Sequence, residues 1–220
     1  MKAIHTAAVS LPLRASRATA WAVSLVVGAT YGAAASLVNR LSVPADAGGS
    51  PVAGTVLEPA ARAASLVLDA GWAWAGLAVA AGWLVAGRAR GAIAGLVTLL
   101  AATAAYFAVD HAIHQQWSWG DLRYWGVASV VLGPALGAVG AAIRRPGVGG
   151  LVASLTVPVG AAVQMVVLPP GHGGAIVPVE AVWARAIVLA GAAVAAGLLV
   201  ARFAAAADGL GRPQRPERRA

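Results

Sequence analysis

The chain has 220 residues, of which 60% are hydrophobic and only 11% charged, against about 25% charged in an ordinary soluble domain. Apolar runs of about 20 residues recur, enough to cross a hydrocarbon core roughly 30 Å thick, so the bilayer is the solvent to reason in. The net charge is +8, and there is no cysteine, which excludes a disulfide framework, a zinc knuckle and a thiol nucleophile.

Six membrane helices are expected in chain order, at residues 18–38, 64–86, 91–109, 124–143, 148–168 and 181–203. A basic N-terminus (1–17) precedes them and a basic, disordered tail (205–220) follows, leaving one transmembrane domain over 18–204. A bare backbone finds no hydrogen bonds in lipid, so each run must be a helix unless strands close into a barrel. Unbroken apolarity without alternation speaks against a barrel. The fold class is therefore all-α, a polytopic bundle of about six helices. Pro134 and Pro158 fall inside the fourth and fifth spans and are expected to act as packing kinks.

Basic residues set the orientation. Lys2, Arg14 and Arg17 precede the first span, Arg88 and Arg90 follow the second, Arg144 and Arg145 follow the fourth, and Arg202, Arg212, Arg215, Arg218 and Arg219 end the chain. The opposite side holds Arg40, Arg62, Arg123 and Arg185. The richer side is cytoplasmic by the positive-inside rule, so both termini are expected there, in a plasma membrane. Six acids, Asp46, Glu58, Asp69, Asp110, Asp121 and Glu180, fall outside, leaving Asp208 and Glu217 inside. The positive charge is thus a topology signal rather than a nucleic-acid footprint, and no nucleic-acid partner is expected. The tail "GRPQRPERRA" suits anionic headgroups at the cytoplasmic face; nothing names a protein partner.

A basic segment, an apolar run and "GAAAS" are the ingredients of a cleaved leader, but the run to Val38 favours a retained span. Gly28 with Gly32, Gly91 with Gly95 and Gly133 with Gly137 form GxxxG spacings, expected to serve close packing within the chain. "RGAIAGLVTLL" from Arg90 and "RPGVGGLVASL" from Arg145 repeat faintly. Either a two-helix duplication or two independent glycine-rich helix starts accounts for this.

The stretch "DHAIHQQWSWGDLRYW", residues 110–125, is expected to be the outer loop between the third and fourth spans. Trp117, Trp119, Tyr124 and Trp125 then form an interfacial aromatic belt. His111 and His114 are expected to be solvated. With Asp110 they lack a third ligand and a glutamate base, although His172 in the next outer loop would approach them, so no metal is expected. There is no GxSxG elbow, no phosphate cradle and no dinucleotide fingerprint. No catalytic residue, enzymatic activity or cofactor is expected. Ser154 and Thr156 should bond back to helix carbonyls.

The segments "AGWAWAGLAVAAGWL", "GAIAGLVTLLAATAAYFAVD" and "GPALGAVGAAIRRPGVGGLVASLTVPVGAAVQM" resemble a family of multi-pass integral membrane proteins from actinobacteria, known as a domain of unknown function. The resemblance covers roughly Leu66 to Met165. Where the family pattern has an Asn-Ser-like pair and a later glutamate, this chain has Asp69 with Ala70, and Gln164. The resemblance implies a membrane protein and no reaction.

One polar layer stands out. Asp69, Tyr106, Gln164 and Arg185 each lie about three to five residues inside the outer end of a span, roughly 4 to 8 Å below the interface at 1.5 Å rise per residue. A carboxylate there should face the bundle and pair with a cation, and Arg185 is the cation at matching depth. Trp72, Trp74 and Trp183 flank the layer, so it would either tie the second and sixth spans together or form a pocket for a lipid or small amphiphile open to the outer leaflet. A small transporter or channel subunit is the alternative function.

Overall fold

A computed structural model describes residues 17–43, 49–85, 87–170 and 178–210. It is all-α, with seven helices: α1 Arg17–Leu41, α2 Glu58–Leu68, α3 Gly71–Val85, α4 Arg88–His114, α5 Trp119–Ala142, α6 Val148–Val167 and α7 Val179–Leu210. No strand occurs among the described residues. Five helices are long and apolar enough to cross a membrane, and α2 with α3 adds a sixth span if that bent pair counts as one.

Packing is inside-out relative to a soluble core. The largest fully buried side chains are Thr98 and Ser24, and the core is otherwise dominated by alanine. Leu25, Val131, Ile187, Val194 and Leu198 point outward instead. Lipid tails are as apolar as leucine, so helices gain by bringing backbones together, and small residues permit that. The GxxxG pairs do so within the chain. Gly28 and Gly32 of α1 meet Thr98 and Ala102 of α4, and Gly91 and Gly95 of α4 meet Gly133 and Gly137 of α5. Gly137 also abuts Gly82 of α3, so α3, α4 and α5 converge on one backbone position where a Cβ would strike main-chain atoms. Helices α1, α3, α4 and α5 form the centre, while α6 and α7 pack as a pair beside α3 and α2.

The spans differ from expectation in three places. The second, expected to be continuous over 64–86, is broken at Asp69–Ala70 with a bend of 57° between α2 and α3. Pro59 opens α2 near its first turn, where a missing N–H costs nothing, and Glu58 accepts from Arg62 at 2.5 Å one turn on. The expected loop 110–123 is mostly helix: α4 runs to His114 and α5 starts at Trp119, leaving residues 115–118. Helix continuation needs no apolar side chains, and α4 stops where Gln115 turns left-handed at φ 54° and returns its N–H to the His111 carbonyl at 2.7 Å. Helix α7 likewise continues to Leu210, past the expected tail boundary.

Pro134 and Pro158 lie inside unbroken helices. Ser154 Oγ donates to the Gly150 carbonyl at 2.6 Å and Thr156 Oγ1 to the Val152 carbonyl at 3.2 Å, the expected back-bonding. The faint repeat coincides with two helix starts capped by positive-φ glycines, Gly87 at 88° and Gly147 at 83°. His172, the first residues of the chain and the tail from residue 211 lie outside the described residues.

Candidate functional site

The break in the second span exposes backbone polar groups at membrane depth, where each must find a partner. The Leu68 carbonyl, ending α2, accepts from Tyr31 Oη at 2.6 Å and from Trp74 Nε1 at 3.1 Å. On the other side of the break, the Trp72 N–H in the first turn of α3 donates to Gln164 Oε1 of α6 at 2.9 Å. Three helices thus staple one hinge.

Asp69 occupies the hinge, and its partner is an amide. Asn39 Nδ2 donates to Asp69 Oδ2 at 2.5 Å and to Tyr106 Oη at 2.7 Å, while Ser65 Oγ donates to Asn39 Oδ1 at 2.5 Å. One asparagine at the end of α1 therefore links α2, the hinge and α4. Its three hydrogen bonds use both donor and acceptor ends of the amide.

The expected Asp69–Arg185 pair is not formed. The face of α7 turned to the bundle is Ala181, Ala184, Val188 and Ala192, all buried; Arg185 follows Ala184 and turns outward, exposed. Helical periodicity, which depth alone ignores, separates them. The expected layer resolves into two clusters, Asp69 with Tyr106 on one side of α3 and Gln164 with the Trp72 backbone on the other. The flanking rings divide too. Trp74 faces Tyr31 and Tyr106, with centroids 5.6 and 6.2 Å away. Trp72 lines, with Val67, Val157 and Val188, an apolar cavity between α2, α3, α6 and α7, and Trp183 is 64% exposed.

A second cavity, of about 320 Å³, opens beside Asp69 at the ends of α4 and α5. Its α4 wall is Thr103, Tyr106, Phe107 and Asp110, and its other wall is Ser118, the N-cap of α5, with Asp121 and Trp125 of that helix. Both sets recur at three- and four-residue steps, each one face of a helix. Trp74 closes the α3 side and stacks on Trp125 at 6.2 Å with 23° between the planes. Beneath, Thr103 Oγ1 and Ser129 Oγ lie 3.0 Å apart, both buried, and Ser129 donates to the Trp125 carbonyl at 2.8 Å. Further inward, Gly95 and Gly133 bring α4 and α5 into backbone contact.

Of the expected belt, Trp117, Trp119 and Tyr124 are exposed as an interfacial ring would be, whereas Trp125 also serves as a cavity wall. The histidines are more engaged than expected. His111 stacks on Trp117 with centroids 4.3 Å apart, and His114 Nδ1 lies 3.0 Å from Asp110 Oδ1. No group of three His, Cys, Asp or Glu placed to hold a metal ion occurs among the described residues.

Sequence reasoning missed Asn39, Ser65, Asp110 and Asp121 as site residues. The stripe 103, 106, 107, 110 was readable, but a helix end drawn at Val109 cut off its last member. Comparison with protein families, curated proteins and solved structures finds no match to this chain.

Proposed function

We propose that the chain is a multi-pass protein of the cell membrane, with both termini cytoplasmic, that binds a small amphiphilic ligand in the cavity between Trp74, Tyr106 and Trp125. The observation that carries the reading is the cavity itself. It has the volume of a small-molecule site, four of its nine lining residues are aromatic, and the other five, Asp69, Thr103, Asp110, Ser118 and Asp121, are polar. The orientation rests on the charge asymmetry. Arg88, Arg90, Arg144, Arg145 and Arg202 belong to the inner turns and end, and the cavity belongs to the opposite, acid-rich end. At the basic end Arg145 and Arg202, with Leu151, Leu199 and Phe203, line a further cavity of about 420 Å³, which suits an anionic lipid headgroup.

A transport role is the second reading, favoured by the broken helix beside the site, a device common among transporters. Binding is preferred because the backbone contact of Gly95 with Gly133 closes the route inward along α4 and α5. The test is native mass spectrometry of the full chain extracted from its membrane. A small amphiphile should be retained by the wild type and lost from Thr103→Phe, which fills the cavity, while melting confirms that the variant folds. A bare wild type, or an adduct that survives the filled cavity, overturns the reading.

A further inference from the structure

Charge around the cavity is one-sided. Asp69, Asp110 and Asp121 line it, and no arginine does. The cations at this end are occupied or turned away: Arg40 donates to the Gly49 carbonyl at 2.9 Å, Arg62 pairs with Glu58, and Arg123 and Arg185 are exposed outside the lining. Three acids alone would mean only a solvated acidic mouth. Here they rim a void with four aromatic residues in its lining, Trp74, Trp125, Tyr106 and Phe107, of which Trp74 and Trp125 stack on each other and Tyr106 meets Trp74 and Phe107 edge-on. An aromatic face carries negative quadrupole density, and a box of such faces recognises a cation with an apolar coat, the logic of ammonium cages. A compact metal ion fits poorly, since no three of these acids stand close enough to share one. The acids differ in role. Asp69 is held by Asn39 and Asp110 by His114, whereas Asp121, in the first turn of α5, has no side-chain hydrogen bond or ion pair among the described residues.

Resting on the binding reading above, we infer that the ligand is an organic cation, an alkylated or primary ammonium with an apolar body, its charge held between the Trp74–Trp125 wall and the carboxylate of Asp121. The backbone seal at Gly95 and Gly133 limits how much apolar body the void takes, so the remainder of a longer ligand extends toward the outer leaflet.

The experiment titrates the full chain in an uncharged detergent and follows tryptophan fluorescence, using choline, its uncharged carbon isostere 3,3-dimethyl-1-butanol, and the anion 3,3-dimethylbutanoate. Choline should bind at least about tenfold tighter than the neutral isostere, the scale of one desolvated cation–π contact, and the anion should not bind. Asp121→Asn should weaken choline about tenfold and leave the neutral isostere unchanged, and Trp125→Leu should reduce the preference for charge without abolishing it. Equal binding of choline and the alcohol, insensitive to Asp121→Asn, overturns the cation inference while leaving an amphiphile cavity standing. No binding of any of the three at millimolar concentration overturns both. Displacement of choline by micromolar calcium would make this a metal site and also overturn the inference.

Discussion

Gly137→Ala adds one carbon where α3, α4 and α5 meet. The new Cβ would fall against the Gly91 carbonyl oxygen and the Gly95 amide nitrogen, both main-chain atoms that no rotamer change can move. Relief requires α4 and α5 to part by roughly 1 Å, which forfeits a quarter to a half of each dispersion contact along the seam. Overpacking of this kind costs about 1–3 kcal/mol, set against a gain of roughly 0.8–1 kcal/mol from the better helix propensity of alanine. Gly160 on α6 provides the control, since a Cβ there has nothing within 4 Å and only the propensity gain applies. The two substitutions are chemically identical, yet Gly160→Ala should be more stable than Gly137→Ala by about 1–3 kcal/mol, the bare overpacking cost. Equilibrium unfolding in mixed detergent micelles measures the difference. Equal stabilities within roughly 0.5 kcal/mol, the scatter of surface substitutions, would refute the view that glycine contact holds the centre together.

Asn39→Ala should destabilise by about 2–3 kcal/mol, near the sum of three interhelical hydrogen bonds at about 0.6–1 kcal/mol each, and Asn39→Gln should not restore it because the added methylene displaces the amide; the same unfolding measurement checks both. Arg185→Gln should change stability by less than about 0.5 kcal/mol, as for an exposed side chain, and should add independently to Asp69→Asn, whereas coupling above about 0.5 kcal/mol in the double-mutant cycle would contradict the outward placement of α7's arginine.

How much of this could be read in advance follows from what each pattern encodes. The lengths of apolar runs mark helices well, because the bilayer enforces them, and the fifth span, 148–168, coincides with α6 almost residue for residue. GxxxG spacings marked close packing within the chain, which α1, α4 and α5 show, because small residues let helices approach in lipid, but the spacing does not name the partner helix. Grouping by distance from the span ends brought together Asp69, Tyr106 and Gln164, all of which bond at or beside the hinge. What failed was azimuth. Two residues at one depth can face opposite ways, as Trp72 and Trp74 do, and choosing between them requires knowing which neighbour each face meets. The break itself was hidden because Asp69-Ala70-Gly71 lies between two apolar stretches that together have the right length for one straight span. Asn39 was passed over because an amide one residue beyond an apolar run looks like a boundary marker, and only the fold turns it toward Ser65, Asp69 and Tyr106.

The hinge also leaves the bundle with unequal rods. Fifteen residues make α3, roughly 22 Å at 1.5 Å per residue, about 8 Å less than a typical hydrocarbon core; α7, with 32 residues, reaches roughly 48 Å. No single bilayer thickness satisfies both. Around α7 the mismatch is absorbed by tilt or by helix standing clear of the membrane. Beside α3 the lipids must thin, or α2 must lie across the gap along the headgroup boundary, with Glu58 and Arg62 at its far end. Either way, the Asp69 hinge stands at the end of the short α3 rod rather than about five residues inside one straight span.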